Sequence, residues 1–379
     1  MIRSSKKITF AGFVVALAAL TICAGSASAQ TTNVQPYADS NSNPEHESRI
    51  PTRISPWAPF KQFDTGYRSS LAFHPSSGLI VEAHAGNTSI HTSTGLYYHI
   101  GQFNASTQTI TWGPSIRFKA VTEDQYGTYP SVAITKEGYV IIVYTNGGSK
   151  KQGRLRYYVG TVDPNGGTQQ QIAFKVQDEY YDTGWNSSIS VNQSGVIAEA
   201  HEGDGSTNLF YRLGHLRAPA SGDFSIVWDT GTGGKKYDGG IAPVISLNDN
   251  GDVIEVHEVG IGDHKLHYTR GKLSGNTIHF SNEHPRFEDY AILPSIVLLN
   301  DGYVMEMHVR IVSGPFHDDY YDLTYRLGML DRTSQSLIHW ISQDVIARTI
   351  GRGGLAANAD YAITTIGDGL LKSSWAIAP

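Results

Sequence analysis

The sequence predicts an all-β fold, a six-bladed β-propeller of four-stranded antiparallel blades, and three observations predict it. A glycine-led strand recurs at Gly78, Gly138, Gly195, Gly251 and Gly302, with gaps of 60, 57, 56 and 51 residues. Around each recurrence stand the same short alternating strands and turn residues, four strands to a unit. The last unit stops after its third strand, while an orphan fourth-strand segment, ISPWAPFKQFDTG, precedes the first full unit. The N-terminal strand is therefore expected to complete the last blade and close the ring, which removes open sheet edges.

The elements follow in chain order. Residues 1–29 read as a secretory signal: Arg3, Lys6 and Lys7, an apolar run from Phe10 to Ala24, then Ser26-Ala27-Ser28-Ala29. Cleavage is expected near Ala29/Gln30, giving a secreted product, extracellular or periplasmic. Residues 30–52 are a flexible polar lead-in, and residues 53–379 form a single propeller domain. Cys23, the one cysteine of the chain, lies inside the signal. The mature chain then has no disulfide, zinc–thiolate site or thiol nucleophile. A net charge of -6 without a basic cluster argues against a nucleic-acid partner. No later apolar stretch is long enough to span a bilayer. The oligomeric state is left open.

Within a unit the first strand reads like PSVAIT, SSISVN or PSIVLL, and a turn such as NDNG or NQSG leads to the second. The third strand follows L-x-Y-x-x-G, as in Leu209/Tyr211/Gly214. The fourth carries Ile and then an aromatic, as in Ile226/Trp228. Glycine-rich connections such as YYDTGW and KYDGGI return to the next first strand. A degenerate sixth copy centres on NADYAITTI.

The second strand carries the most chemistry. GLIVEAHA, GVIAEAHE, GDVIEVHE and GYVMEMHV place Glu82/His84, Glu199/His201, Glu255/His257 and Glu306/His308 two residues apart, on one face of a strand. Both faces of a blade are covered, so these side chains need hydrogen-bond partners. The third-strand tyrosine and the first-strand serine (Ser70, Ser188, Ser295) are at hand. Two readings stand side by side: a polar network linking blades, or a ligand pocket between blades repeated around the ring. No metal and no cofactor are expected. Sheets stack about 10 Å apart, whereas zinc needs nitrogen ligands at about 2 Å, and one Glu with one His is an incomplete site. The second copy has Ile142 and Tyr144 at these positions and the sixth has Thr364 and Ile366, expected as apolar substitutes if the pairs are structural.

A singular site is expected where the repeat is interrupted. Residues 309–322, VRIVSGPFHDDYYD, bring His317, Asp318 and Tyr320; VTEDQYGTYP brings Glu123, Asp124, Tyr126 and Tyr129. Acids interleaved with aromatics suit sugar recognition. Tyr67, Trp185 and Asn186 in the connections fall near one rim.

The run of G-x-V-x-E-x-H, L-x-Y-x-x-G and aromatic fourth strands resembles the secreted bacterial propeller repeats related to lectin-like and sialidase-like domains, over nearly the whole mature chain. Arg49-Ile50-Pro51 matches a short sialidase arginine motif, but it precedes the closing strand, and the sialidase Asp-box is absent. No catalytic residue carries over, because related propellers include binders, hydrolases and lyases. The expected function is lectin-like: a carbohydrate-binding propeller with repeated sites and no catalysis, its partner a glycan. The alternatives are a glycan-cleaving enzyme, glycoside hydrolase or polysaccharide lyase, with one site on a rim, and a protein-binding scaffold.

Overall fold

The computed structural model describes residues 63–64, 66–74, 76–86, 95–107, 109–121, 129–147, 153–217, 224–229, 231, 233–260, 262–281, 290–312, 320–331, 338–348, 353–357, 362–367 and 372–377. For Tyr67, Val312, Tyr320, Tyr321 and residues from 342 onward that description is of the backbone. All fall within the compact unit Asn43–Pro379, distinct from Met1–Ser42.

Among the described residues the chain is all-β, 24 strands in antiparallel sheets with no helix. The first sheet runs β1 (Tyr67–Phe73), β2 (Leu79–Ala85), β3 (Gly95–Asn104), β4 (Thr109–Trp112), with β5 (Ile116–Ala120) also on β3. The second has eight strands: β6 (Ser131–Ile134), β7 (Tyr139–Asn146), β8 (Arg154–Thr161), β9 (Ala173–Val191), β10 (Val196–Gly203), β11 (Asn208–Arg217) and β12 (Ser225–Trp228), with β13 (Lys235–Gly239) on β11. The 19-residue β9 pairs with β8 through its first part and with β10 through its second, so two expected four-stranded meanders share one continuous strand. The third sheet is β14 (Ile241–Leu247), β15 (Asp252–Glu258), β16 (Leu266–Ser274) and β17 (Thr277–Phe280). The fourth is β18 (Ala291–Leu298), β19 (Tyr303–Val312), β20 (Tyr320–Leu330) and β21 (Ile338–Arg348). The fifth has three strands, β22 (Gly353–Ala357), β23 (Ala362–Gly367) and β24 (Lys372–Ile377).

The recurrent glycine has a backbone cause. Gly78, Gly138, Gly195, Gly251 and Gly302 all have φ between 72° and 96°, the left-handed turn that starts each second strand. Apolar residues of consecutive sheets then pack face to face. Val81 and Ala83 join Val140 and Ile142 in one core cluster, and Ile254 and Val256 join Ile296 and Val304 in another.

Two polar devices stitch successive repeat units, whether these lie in one sheet or in two. Ser70, Ser131 and Ser188 hydroxyls accept the N–H groups of Val132, Ile189 and Ile245 on the next first strand, at 3.1, 3.1 and 3.2 Å. Tyr98, Tyr157 and Tyr211 hydroxyls accept from Ile172, Ile226 and Ile278 of the next repeat unit at 3.0, 3.4 and 3.2 Å. The recurrent third-strand tyrosine and fourth-strand isoleucine are therefore two ends of one hydrogen bond between units. These three tyrosines and three serines reach the neighbouring backbone rather than the Glu-x-His pairs, whereas the third-strand Tyr268 does meet a pair, hydrogen-bonding Glu306 of the next sheet. The second copy also departs from a purely apolar substitution: Tyr144, fully buried, donates its hydroxyl to Asp178.

Candidate functional site

All four Glu-x-His pairs are closed off from solvent, with Glu82, Glu199, Glu255 and Glu306 at 0% exposure and their histidines at 0–1%. In each, histidine Nδ1 bonds its own strand's glutamate, at 2.9 Å for His84–Glu82 and His201–Glu199 and 3.0 Å for His257–Glu255 and His308–Glu306. A third member comes from the chain just before the residues that pair with each second strand, within β9 for Asp182 and within β13 for Asp238. The Nε2 atoms of His84, His201 and His257 face Asp64, Asp182 and Asp238 at 3.4, 3.9 and 3.8 Å. Those aspartates stand two residues before Gly66, Gly184 and Gly240, in FDTG, YDTG and YDGG. A Cβ on Gly66 or Gly184 would lie 2.5 or 2.7 Å from the ring of His84 or His201, and one on Gly240 would strike His257 too. Glycine is there because the imidazole lies against its backbone. Tyr181, next to Asp182, donates to Glu199 Oε1 at 3.0 Å.

The third-strand residue opposite each glutamate differs from sheet to sheet. His99 faces Glu82, Arg212 faces Glu199, Thr269 faces Glu255 and Arg326 faces Glu306. Arg212 donates to Asp182 Oδ2 at 2.9 Å and to the Tyr181 carbonyl at 2.6 Å.

Burial alone would lower the pKa of His201 and His257, but Glu199 and Glu255, aided by Asp182 and Asp238, raise both above the usual imidazole value. Burial also raises Glu255 above the usual carboxyl range. A raised histidine contributes stability that is present below its unfolded value, about 6.5, and is lost as pH climbs through the folded one. A raised glutamate acts in the same direction, since its ionised form is disfavoured in the fold. Denaturant unfolding between pH 5.5 and 9 is therefore expected to show stability falling from about pH 6.5 upward. Stability rising over that range would contradict the buried ion pairs.

A second cluster lies where the first strands begin. Residues of β1, β6, β9, β14 and β18 line one cavity of about 60 Å³, with Ser70, Ser131, Ser188 and Ser295 in its wall. At roughly 10–15 Å³ per enclosed water it holds a few waters, not a sugar. One residue upstream of the lining residues Ser69 and Ser187 stand Arg68 and Asn186. With Ala242 and Leu293 they share a left-handed φ of 50–56°, each at a shift of strand register. The bulge turns backbone N–H groups out of the ladder and toward two carboxylates. Glu202 Oε1 accepts from Ala242 N at 2.5 Å and from the Asn186 amide, and Glu258 Oε1 accepts from Leu293 N at 2.8 Å. Both carboxylates are buried, at 9% and 7% exposure. Burial pushes Glu202 above the usual carboxyl range, against the opposing pull of the Ala242 N–H, the Asn186 amide and the Arg68 charge. Arg68 lies 3.4 Å from the ring centroid of Tyr129, a wall residue of the cavity.

Of the residues expected to bind ligand, Glu82, His84, Glu199, His201, Glu255, His257, Glu306 and His308 sit in four separate sheet-borne pairs. Trp185 opposes Glu202 across β9 and β10 and donates Nε1 to Asp204 at 3.3 Å. Tyr67 opens β1 and Tyr320 opens β20; their side chains, with His317, Asp318 and residues 123–126, lie outside the described residues. Sequence reasoning passed over Arg68, Glu202, Glu258, His99 and the three aspartates. The aspartates left a signal, the thrice-repeated [FY]-D-x-G. Glu202 and Glu258 left a fainter one, the fourth letter of E-x-H-E in two copies of four.

No protein-family model matches the sequence, and no curated protein matches it. Solved structures do share its shape. A protein of unknown function from Dyadobacter fermentans aligns at a TM-score of 0.52 and 11% identity, over 83% of this chain and 94% of that one. The Hadza microbial sialidase Hz136 aligns at 0.52 and 10% identity over 83% of this chain; the match spans 66% of the sialidase, just short of two thirds of its length. The GH93 α-L-arabinofuranosidase of Fusarium graminearum, solved with arabinobiose, aligns at 0.50 and 11% identity, over 86% of this chain and 96% of that one. These likenesses establish a β-propeller fold of the kind found in glycan-related proteins. The expectation of a non-catalytic lectin with equivalent sites around the ring is corrected here. Propellers of this shape include a sialidase and an arabinofuranosidase, and the four recurrent pairs form sealed intrasheet bonds rather than open clefts.

Proposed function

We propose that the protein is a secreted glycan-cleaving enzyme of the glycoside hydrolase type, with one site at the end of the serine-lined cavity. The observation that carries this is Glu202. It is a buried carboxyl with a raised pKa, pinned by Ala242 and Asn186 within reach of the Arg68 charge. Such a carboxyl holds its proton closer to neutral pH and can give it to a leaving oxygen. Glu258, in the matching position one sheet on, supplies the second carboxylate that glycoside hydrolysis requires, as base or nucleophile. Tyr129 and Trp185 offer faces for a sugar ring, and Arg68 offers hydrogen bonds to its hydroxyl or acid groups. The solved sialidase and the arabinobiose-bound arabinofuranosidase support this substrate class.

A six-bladed closed ring belongs to the same proposal, with residues 1–29 as signal, 30–52 as lead-in and 53–379 as propeller. Its support is that β22 packs against both β18 and β1, and that β22–β24 is one strand short of four. The expected closing strand lies outside the described residues.

The test is incubation of the secreted form with arabinan oligosaccharides, sialosides and a broad polysaccharide panel. New reducing ends without ultraviolet-absorbing unsaturated products are expected. Unsaturated products would instead favour a lyase, with Arg68 neutralising a uronate beside Tyr129 as base. Release of neither kind of product from any substrate defeats the enzymatic reading.

A further inference from the structure

We infer that Asp64, His84 and His99 form a binding site for one divalent cation of the zinc class, on the first sheet alone. Their ligand atoms all lie within 4.8 Å of one another. His99 Nε2 is 2.7 Å from Asp64 Oδ2, and His84 Nε2 is 3.4 Å from the same oxygen. A tetrahedral zinc with bonds of about 2 Å spaces its ligands roughly 3.3 Å apart, so small side-chain shifts suffice. The histidines come from adjacent strands, β2 and β3, and the carboxylate from the connection ahead of β1.

The contacts around the two rings fit a cation. His99 Nδ1 faces the Gly113 carbonyl at 3.0 Å and its Nε2 faces Asp64. His84 Nδ1 faces Glu82 at 2.9 Å and its Nε2 also faces Asp64. Both Nε2 atoms thus converge on one carboxylate from rings stacked 5.7 Å apart that are only 1–2% exposed. One divalent cation between the Nε2 atoms and Asp64 would take a ligand from each of the three. It also leaves each Nδ1–H donating to Glu82 or to Gly113 O, the outer-shell pattern that orients metal-bound histidines. Asp64, 21% exposed and held by the Ser115 hydroxyl at 2.7 Å, is the side from which an ion and its remaining water ligands can enter.

The neighbouring copies show why, among the described residues, this set gathers on the first sheet. Where β3 carries His99, β11 carries Arg212, whose fixed positive charge meets Asp182 directly. Exchanging that arginine for histidine replaces a permanent cation with a ligand for one. The Glu82/His84 strand is an incomplete site by itself; Asp64, 20 residues before His84, and His99, 15 residues after it, supply the further ligands.

The experiment uses the tag-free mature chain, stripped with chelator and titrated with Zn²⁺ alone by calorimetry, with Co²⁺ as a visible-absorption probe. Wild type is expected to bind one ion per chain and to unfold at a higher temperature with Zn²⁺ than with chelator. His99→Arg, which recreates the Arg212 arrangement, is expected to lose at least about 100-fold in affinity, and Glu82→Gln about 10- to 100-fold. His215→Asn, remote from the cluster, should leave binding intact. No Zn²⁺ binding by wild type overturns the site, as does binding undiminished in both His99→Arg and Glu82→Gln. Should His99→Arg fail to fold, Glu82→Gln alone decides.

Discussion

Gly240→Ala is expected to destabilise the fold by about 3 to 5 kcal/mol, the cost of breaking a buried ion pair with overpacking added. The new Cβ would lie 2.6 Å from the Glu258 carbonyl and closer still to the His257 ring. Neither neighbour can give way. The carbonyl belongs to β15, and the imidazole is held by Glu255 at 3.0 Å with both groups fully buried. Displacing the ring leaves Glu255 with a poorer partner in a site closed off from bulk solvent. Denaturant unfolding measures the effect. Gly66→Ala and Gly184→Ala should behave alike, whereas Gly260→Ala, whose Cβ meets nothing within 4 Å, should stay within about 0.5 kcal/mol of wild type. Combining Gly240→Ala with His257→Ala should cost less than the two single changes added together, because the clash with the ring is then gone and only that with the Glu258 carbonyl remains. Strict additivity would mean that the glycine and the imidazole are not coupled.

That coupling shows what the sequence disclosed and what it hid. The period could be read because each unit repeats the same local chemistry: a left-handed glycine before the second strand, a tyrosine that reaches the next isoleucine. Local repetition is visible in one chain without any knowledge of distance. The merging of two meanders through β9 was less visible, since a long strand and two short ones have the same alternating pattern. The Asp64, Asp182 and Asp238 carboxylates stood in plain sight in [FY]-D-x-G. Their role was hidden because the imidazole they face lies 19 or 20 residues later in the chain, on another strand. Arg68, Glu202 and Glu258 were harder still. Arg68 and Glu202 come from different sheets, and only the approach of first strands to one cavity brings their charges together. Arginine against histidine opposite the repeated glutamate reads as ordinary variation until Asp64 and Asp182 are placed beside them.

Glu202→Gln is expected to lower glycan-cleaving turnover by about 10²- to 10⁴-fold while the protein stays folded. Glutamine keeps the oxygen that accepts from Ala242 N and Asn186, so stability should fall by no more than about 1 kcal/mol. What it loses is a titratable proton. Burial raises the Glu202 pKa, so the group stays protonated further toward neutral pH than an exposed glutamate does. Acting as the acid, it sets the alkaline limb of kcat/KM: activity falls as pH rises through its folded value, and that limb should vanish from the residual activity of the variant. Glu258→Gln should produce a loss of similar size but remove the acid limb, since a base or nucleophile must be ionised to act. Arg68→Met should raise KM more than it lowers kcat if the guanidinium binds substrate, and should move the alkaline limb upward, because its charge opposes the raised pKa of Glu202. Variants that fold and turn over at wild-type rates would show that Glu202 and Glu258 only tie one sheet to the next through Ala242 and Leu293.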